Sequence, residues 1–122
     1  MNQNSFATSL SCIDGRVQLP IISWIKDRYS VDFVDTITAP GIDKVIFDGD
    51  VESIKKSIMI SISNHKSSHV VISGHFGCAG NPVSDEDHFT HIKKSVEIIS
   101  SWNLDADVVG VWLDEKFIPH LV

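Results

Sequence analysis

Three residues with donor atoms suited to a soft metal stand out in the sequence: Cys12, and His75 with Cys78 in the tetrapeptide His75-Phe76-Gly77-Cys78. Thiolate and imidazole are ligands that tetrahedral Zn²⁺ prefers, and three of them leave a fourth position open. That open position separates a catalytic zinc from a structural one. Just past Cys12 come Asp14 and Arg16, a carboxylate and a guanidinium that a tight turn can join through a forked hydrogen bond. Lysine would not supply that fork. By spacing alone, each piece has a second reading. Free cysteines are often small buried hydrophobes. Asp14 and Arg16 could form an ordinary turn salt bridge, which stabilises little at a surface.

For the three donors to meet, the elements carrying them must be neighbours. Residues 6–12 are short, uncharged and partly apolar, and Asp14-Gly15 breaks them, as expected of a buried strand. Pro20 is placed to begin a helix, with Ile21, Ile22, Trp24 and Ile25 as its apolar face up to Tyr29. Residues 31–37 alternate apolar side chains with Asp and Thr, a second strand stopped by Ala39-Pro40-Gly41. Asp50 could cap a helix whose Val51, Ile54, Ile58 and Ile62 share one stripe. Residues 70–72 form a third buried strand closed by Ser73-Gly74. Ser84 and Asp87 have the spacing of a capping box before the stripe Phe89, Ile92, Val96 and Ile99. Residues 108–113 are the fourth strand, and residues 114–122 read as a tail.

This βαβαβαβ order predicts one domain over residues 1–122, an α/β three-layer fold with a central, mainly parallel four-stranded sheet and flanking helices. In open sheets of this kind, ligands bind outside the carboxyl ends of strands, where the strand order reverses. An order of 2-1-3-4 would bring Cys12 and His75-x-x-Cys78 together there.

The joint pattern resembles the β-class carbonic anhydrases. Cys12-x-Asp14-x-Arg16 is similar to their Cys-x-Asp-Ser-Arg segment, with Gly15 in place of Ser. Ile72-Ser73-Gly74-His75, followed by Cys78, is similar to their strand ending in Gly-His-x-x-Cys. The resemblance implies one Zn²⁺ held by Cys12, His75 and Cys78. It further implies reversible hydration of carbon dioxide to bicarbonate by a zinc-bound hydroxide, with the catalytic pair Asp14 and Arg16 orienting it. In some family members the corresponding Asp turns onto the zinc, so Asp14 is implied as either orienter or ligand. The pattern departs from the family in three further respects. The segment Thr38-Ala39-Pro40-Gly41 stands where Arg-Asn-Ala-Gly-Asn is usual, and Ala79-Gly80 follow the second cysteine where Gly is typical. The chain is also shorter than usual, without the terminal segments that build the family's dimer. A homodimer or higher homo-oligomer is what the family implies.

Composition narrows the remaining choices. A formal net charge of −6 argues against nucleic acid or an anionic membrane as partner, because both demand a basic face. No apolar run reaches the length of a membrane span. Met1-Asn2-Gln3-Asn4 lacks the basic start of a secretory signal, which makes the cytoplasm the expected location. No phosphate-binding glycine pattern points to a nucleotide. His88 and His91 are expected on the surface of a helix, and His65, His69 and His120 have no motif around them. Trp24, Trp102 and Trp112 are expected in the core. The same zinc site could instead hydrolyse carbonyl sulfide or carbon disulfide, or serve a non-catalytic regulatory protein. A thiol redox protein would need a Cys-x-x-Cys, which the sequence lacks.

Overall fold

The β-branched runs of the sequence become strands of a single sheet in the computed structural model, which describes residues 5–122. Met1 to Asn4, on which the argument against a secretory signal rests, lie outside the described residues. Strands β1 (Phe6–Ser11), β2 (Phe33–Thr38), β3 (His69–His75) and β4 (Asp107–Leu113) run parallel in the order β2-β1-β3-β4. This is the expected order. It is extended by an antiparallel edge strand, β5 (Pro119–Leu121).

Side chains alternate across the pleat, so neighbouring residues of β3 face opposite layers. Val70 and Ile72 join Leu10 in one cluster, under helices α2 (Ile42–Phe47), α3 (Glu52–His65) and α4 (Asp85–Ser100). Val71 joins Ala7, Val111 and Leu113 in the other, under α1 (Gly15–Tyr29). Isoleucine dominates the helical side of both clusters, and each fully buried isoleucine contributes about 1.5–3 kcal/mol. Trp112 is buried, and Trp24 and Trp102 pack half-buried against the clusters, in line with the core expectation.

Several boundaries differ from the sequence reading. Helix α1 starts at Gly15 rather than at Pro20, because the Asp14 side chain accepts the Arg16 backbone N–H and caps it. Burial of Val17, Ile21 and Ile25 outweighs the hydrogen bond that Pro20 cannot donate. The second strand begins at Phe33, and Val31 turns into the α1 cluster instead. Helix α2 was not expected, being too short to show a period, although Ile42 and Ile46 both face the core. Asp50 does not cap α3, whose N-cap is Val51. The Asp50 backbone N–H donates to Val45 O at 3.1 Å and so closes the turn after α2.

Residues 114–122 are not a tail. The Asp114 carboxylate accepts the backbone N–H groups of Lys116 and Ile118 and lies 2.7 Å from His120 Nε2. These contacts fold the chain back so that Val111 pairs with Leu121. His65 and His69 likewise lie against carboxylates, those of Asp35 and Asp107.

Helix α4 starts as its spacing predicts, with Ser84 Oγ accepting the Asp87 N–H at 3.1 Å. Its buried face is rotated, however, and comprises His88, His91, Ile92, Ser95 and Ile99. His88 and His91 are therefore interior residues rather than surface ones, because Asp43 and Asn81 supply them with buried hydrogen-bond partners. No helix among the described residues is long and apolar enough to cross a membrane.

Candidate metal centre

The sheet order reverses between β1 and β3. From β1 the chain leaves through α1 to β2 on one side, and from β3 it leaves through α4 to β4 on the other. A crevice opens between the two departing loops. Cys12 follows the last residue of β1, His75 ends β3, and Cys78 lies on the turn beyond. All three are buried, and one donor atom of each lies within 4.8 Å of the others. The sulfurs of Cys12 and Cys78 are 3.9 Å apart and form no disulfide. Two Zn–S bonds of about 2.3 Å at a tetrahedral angle span about 3.8 Å between sulfurs, so the separation suits the metal.

His75 provides the sharpest test of fit. Its Nδ1 lies 2.9 Å from Phe76 O, a carbonyl that can only accept, so Nδ1 carries the proton. Nε2 is then a bare lone pair, and it is buried without a hydrogen-bond partner. An orphaned buried acceptor is costly unless something fills the place of its donor. A cation between Nε2 and the two sulfurs would do so. Metal-ligating histidines commonly donate their other ring N–H to a carbonyl in this way. Burial, and next the neighbouring Cys12, push the Cys78 thiol up to about 11, against the opposing pull of the Gly80 and Asn81 amides. A divalent cation would reverse that balance, because ligating thiols are deprotonated. The Gly41 N–H points at Cys12 Sγ from 3.5 Å.

Beside the donors, Asp14 and Arg16 form the fork that their spacing suggested. Arg16 Nε donates to Asp14 Oδ1 at 3.0 Å, and Nη2 donates to Oδ2 at 2.7 Å. This bonding, aided by the Arg16 backbone N–H, holds the Asp14 carboxyl far below the usual carboxylate range. Asp14 Oδ2 stands 3.9 Å from His75 Nε2. The carboxylate thus lies next to the donor set while committed to Arg16. A cavity of ≈ 200 Å³ opens here, lined by Cys12, Ile13, Asp14, Pro40, Ala79 and Gly80.

A family model described as "Putative carbonic anhydrase" matches residues 2–122. The chain belongs to this carbonic anhydrase family. Its fold is shared with solved β-carbonic anhydrases. Isoform I from the protozoan Trichomonas vaginalis is 17% identical with a TM-score of 0.66, over 98% of this chain and 82% of that one. A structure from the ascomycete Sordaria macrospora, described among tetrameric β-carbonic anhydrases, is 14% identical with a TM-score of 0.56, over 99% and 82%. The enzyme from the fungal pathogen Aspergillus fumigatus is 17% identical with a TM-score of 0.52, over 98% and 76%. A search of curated protein sequences finds no match.

This carbonic anhydrase relative also builds its site from residues whose part in the site carried no signal in the sequence. Gln18, on the first turns of α1, donates from Nε2 to Cys12 O at 2.7 Å and steadies the backbone of that cysteine. Phe117, at φ +59, lays its ring 4.9 Å from the Arg16 guanidinium. A cation over an aromatic face is attracted to it, so Phe117 backs the fork. Gly41, at φ +57, approaches Gly80 so closely that a Cβ there would sit 2.6 Å from Gly80 O. The loop after β2 and the loop after β3 are packed backbone to backbone. Gln, Phe and Gly at these positions match no spacing rule, since each acts through a partner the sequence does not place beside it.

Proposed function

We propose that this chain is a zinc lyase that interconverts carbon dioxide and bicarbonate, with Cys12, His75 and Cys78 as metal ligands. The orphaned Nε2 of His75, facing two thiols, carries the reading. Three ligands leave one position for water, and zinc supplies the Lewis acidity that makes water nucleophilic near neutral pH. The chain's own residues do the rest. Asp14, kept ionised by Arg16, accepts a hydrogen bond from the attacking oxygen and so aims that oxygen's lone pair. Arg16 prevents the carboxylate from drifting, and Phe117 prevents Arg16 from doing so. Ile13, Pro40 and Ala79 give the cavity an apolar wall, which suits a small, linear, uncharged substrate.

Assembly into a homodimer or larger homo-oligomer is part of the proposal. Exposed Ile13, Leu19, Phe76 and Ile118 offer apolar surface for it.

The test is metal content together with stopped-flow carbon dioxide hydration on the same sample. The expected result is one zinc per chain and hydration that Asp14→Ala lowers about 10²–10⁴-fold while zinc stays bound. Zinc without hydration would move the proposal to hydrolysis of carbonyl sulfide or carbon disulfide, or to a regulatory role. Well-folded, reduced protein without affinity for zinc would overturn it.

A further inference from the structure

Behind the ligand loop lies a polar cluster that the proposed chemistry does not use. Asp43 on α2, Asn81 beyond Cys78, and His88 and His91 on α4 are all buried, with relative exposures of 1%, 2%, 2% and 8%. Among the described residues with three potential ligand atoms in reach of one another, only the Cys12 set qualifies, so this cluster is not a second metal site.

Its hydrogen bonds can be assigned from the donor inventory. Asp43 Oδ2 lies 2.7 Å from His88 Nδ1, so His88 donates there. Asn81 Nδ2 has two hydrogens. One goes to Asp43 Oδ1 at 3.2 Å, and the other goes to His91 Nδ1 at 3.0 Å. His91 therefore presents a bare Nδ1 lone pair. The side chain of Asn81 is gripped from two helices at once. Its backbone N–H bonds Cys78 O at 3.3 Å, and its amide is among those that face the Cys78 sulfur.

The surroundings are shaped around this grip. A Cβ on Gly74, the residue before the ligand His75, would fall 2.8 Å from Asp43 Oδ2. Ser95 Oγ lies 2.7 Å from His91 O and 3.1 Å from Asp43 O, so its single hydroxyl proton stands between α4 and α2 beside the cluster. Burying a carboxylate and three further polar side chains is unfavourable relative to packing apolar ones of similar volume. A cluster that served only to hold α2 against α4 would need none of this polarity.

We propose that the Asp43–Asn81–His88–His91 network is a positioning clamp for the second ligand loop, setting where Cys78 Sγ stands relative to His75 Nε2 and Cys12 Sγ. This rests on the zinc reading above. The network tunes metal affinity and geometry from outside the ligand set, and its members touch neither substrate nor metal.

The test compares full-length wild-type protein with Asp43→Asn, His91→Leu and His91→Asn. Zinc affinity is measured by competition with a chromophoric chelator, and thiolate-to-metal charge transfer is recorded after loading with Co²⁺. Asp43→Asn sets an amide donor against the donors of Asn81 and His88. His91→Leu removes the acceptor, whereas His91→Asn returns an oxygen near the place of Nδ1. Asp43→Asn and His91→Leu are expected to weaken zinc binding about 10–100-fold and to shift the Co²⁺ band, while His91→Asn recovers most of both. Should Asp43→Asn not fold, the two His91 variants decide alone. Wild-type zinc affinity and an unshifted Co²⁺ spectrum in His91→Leu would overturn the clamp, and so would His91→Asn behaving as badly as His91→Leu. Failure of the wild-type protein to bind zinc at all would instead overturn the zinc reading.

Discussion

The loops after β1 and β3 each deliver cysteine to the same point, and they are held there in opposite ways. The first is fixed mainly by its own neighbours in sequence, with Phe117 behind Arg16 and the Gly41 N–H on Cys12 Sγ as contacts from farther along the chain. Asp14 caps α1, Arg16 forks onto Asp14, and Gln18 reaches back to Cys12 O. It is also the more open of the two, with the Arg16 side chain 59% exposed. The second loop is fixed from behind by partners distant in the chain: Asp43 through Asn81, and Gly41 against Gly80. Local fastening leaves the charged Asp14–Arg16 pair beside the open cavity. Long-range fastening keeps polar groups from water and holds the Cys78 sulfur, whose thiol burial pushes up.

Removing a sulfur breaks the comparison most severely. Cys78→Ser should lose zinc by at least about 100-fold, since serine is a far poorer zinc ligand than thiolate. Its Asp14–Arg16 fork should persist, because that fork is built within the other loop. Equilibrium dialysis gives the first result, and the Arg16 Nε–H resonance gives the second. Retained zinc would mean that Cys78 is not a ligand.

A smaller effect is expected at the contact between the loops. Gly41→Ala must hold φ near +57 and push a Cβ into Gly80 O, so the metal-free protein should lose about 1–3 kcal/mol. Denaturant unfolding reads this directly. An unchanged midpoint would mean that the two loops part without penalty and that the second loop is less tightly held than the geometry implies.

The smallest effect concerns pH and the turn after β4, which is fastened locally in the manner of the first loop. The Asp114 carboxyl is held low by the hydrogen bond with His120, with further help from the Ile118 and Lys116 N–H groups. A lowered folded value means that this contribution is complete above the ordinary carboxylate value of about 3.9 and fades as pH falls through the folded one. Amide resonances of Lys116 and Ile118 should therefore move only below about pH 4, with those of Leu10 and Ile72 unaffected. Movement of the core amides in the same step would mean that the turn and the sheet are not separable.

The difference between the loops also explains what was legible beforehand. Cys12, Asp14 and Arg16 lie on one tight turn, and His75 and Cys78 on another, so short spacing carried their chemistry. The clamp was not legible. His88 and His91 read as surface residues because a histidine becomes an interior one only when a buried partner exists, and Asp43 sits on a helix too short to betray itself. The edge strand β5 was missed for a related reason: Pro119-His120-Leu121 has little pattern, and its pairing depends on the turn that Asp114 organises.

The sequence by itself determined the donor atoms on offer, the Asp14–Arg16 fork and the alternation of strands and helices. Each follows from donor chemistry or from periodicities of a few residues. Only the tertiary structure decided that β1 and β3 stand side by side, that His75 Nε2 is left without a partner, and that Asn81 is gripped from two helices. Those facts depend on which distant side chains share one desolvated space, where every polar atom must find its partner among neighbours that the linear order does not name.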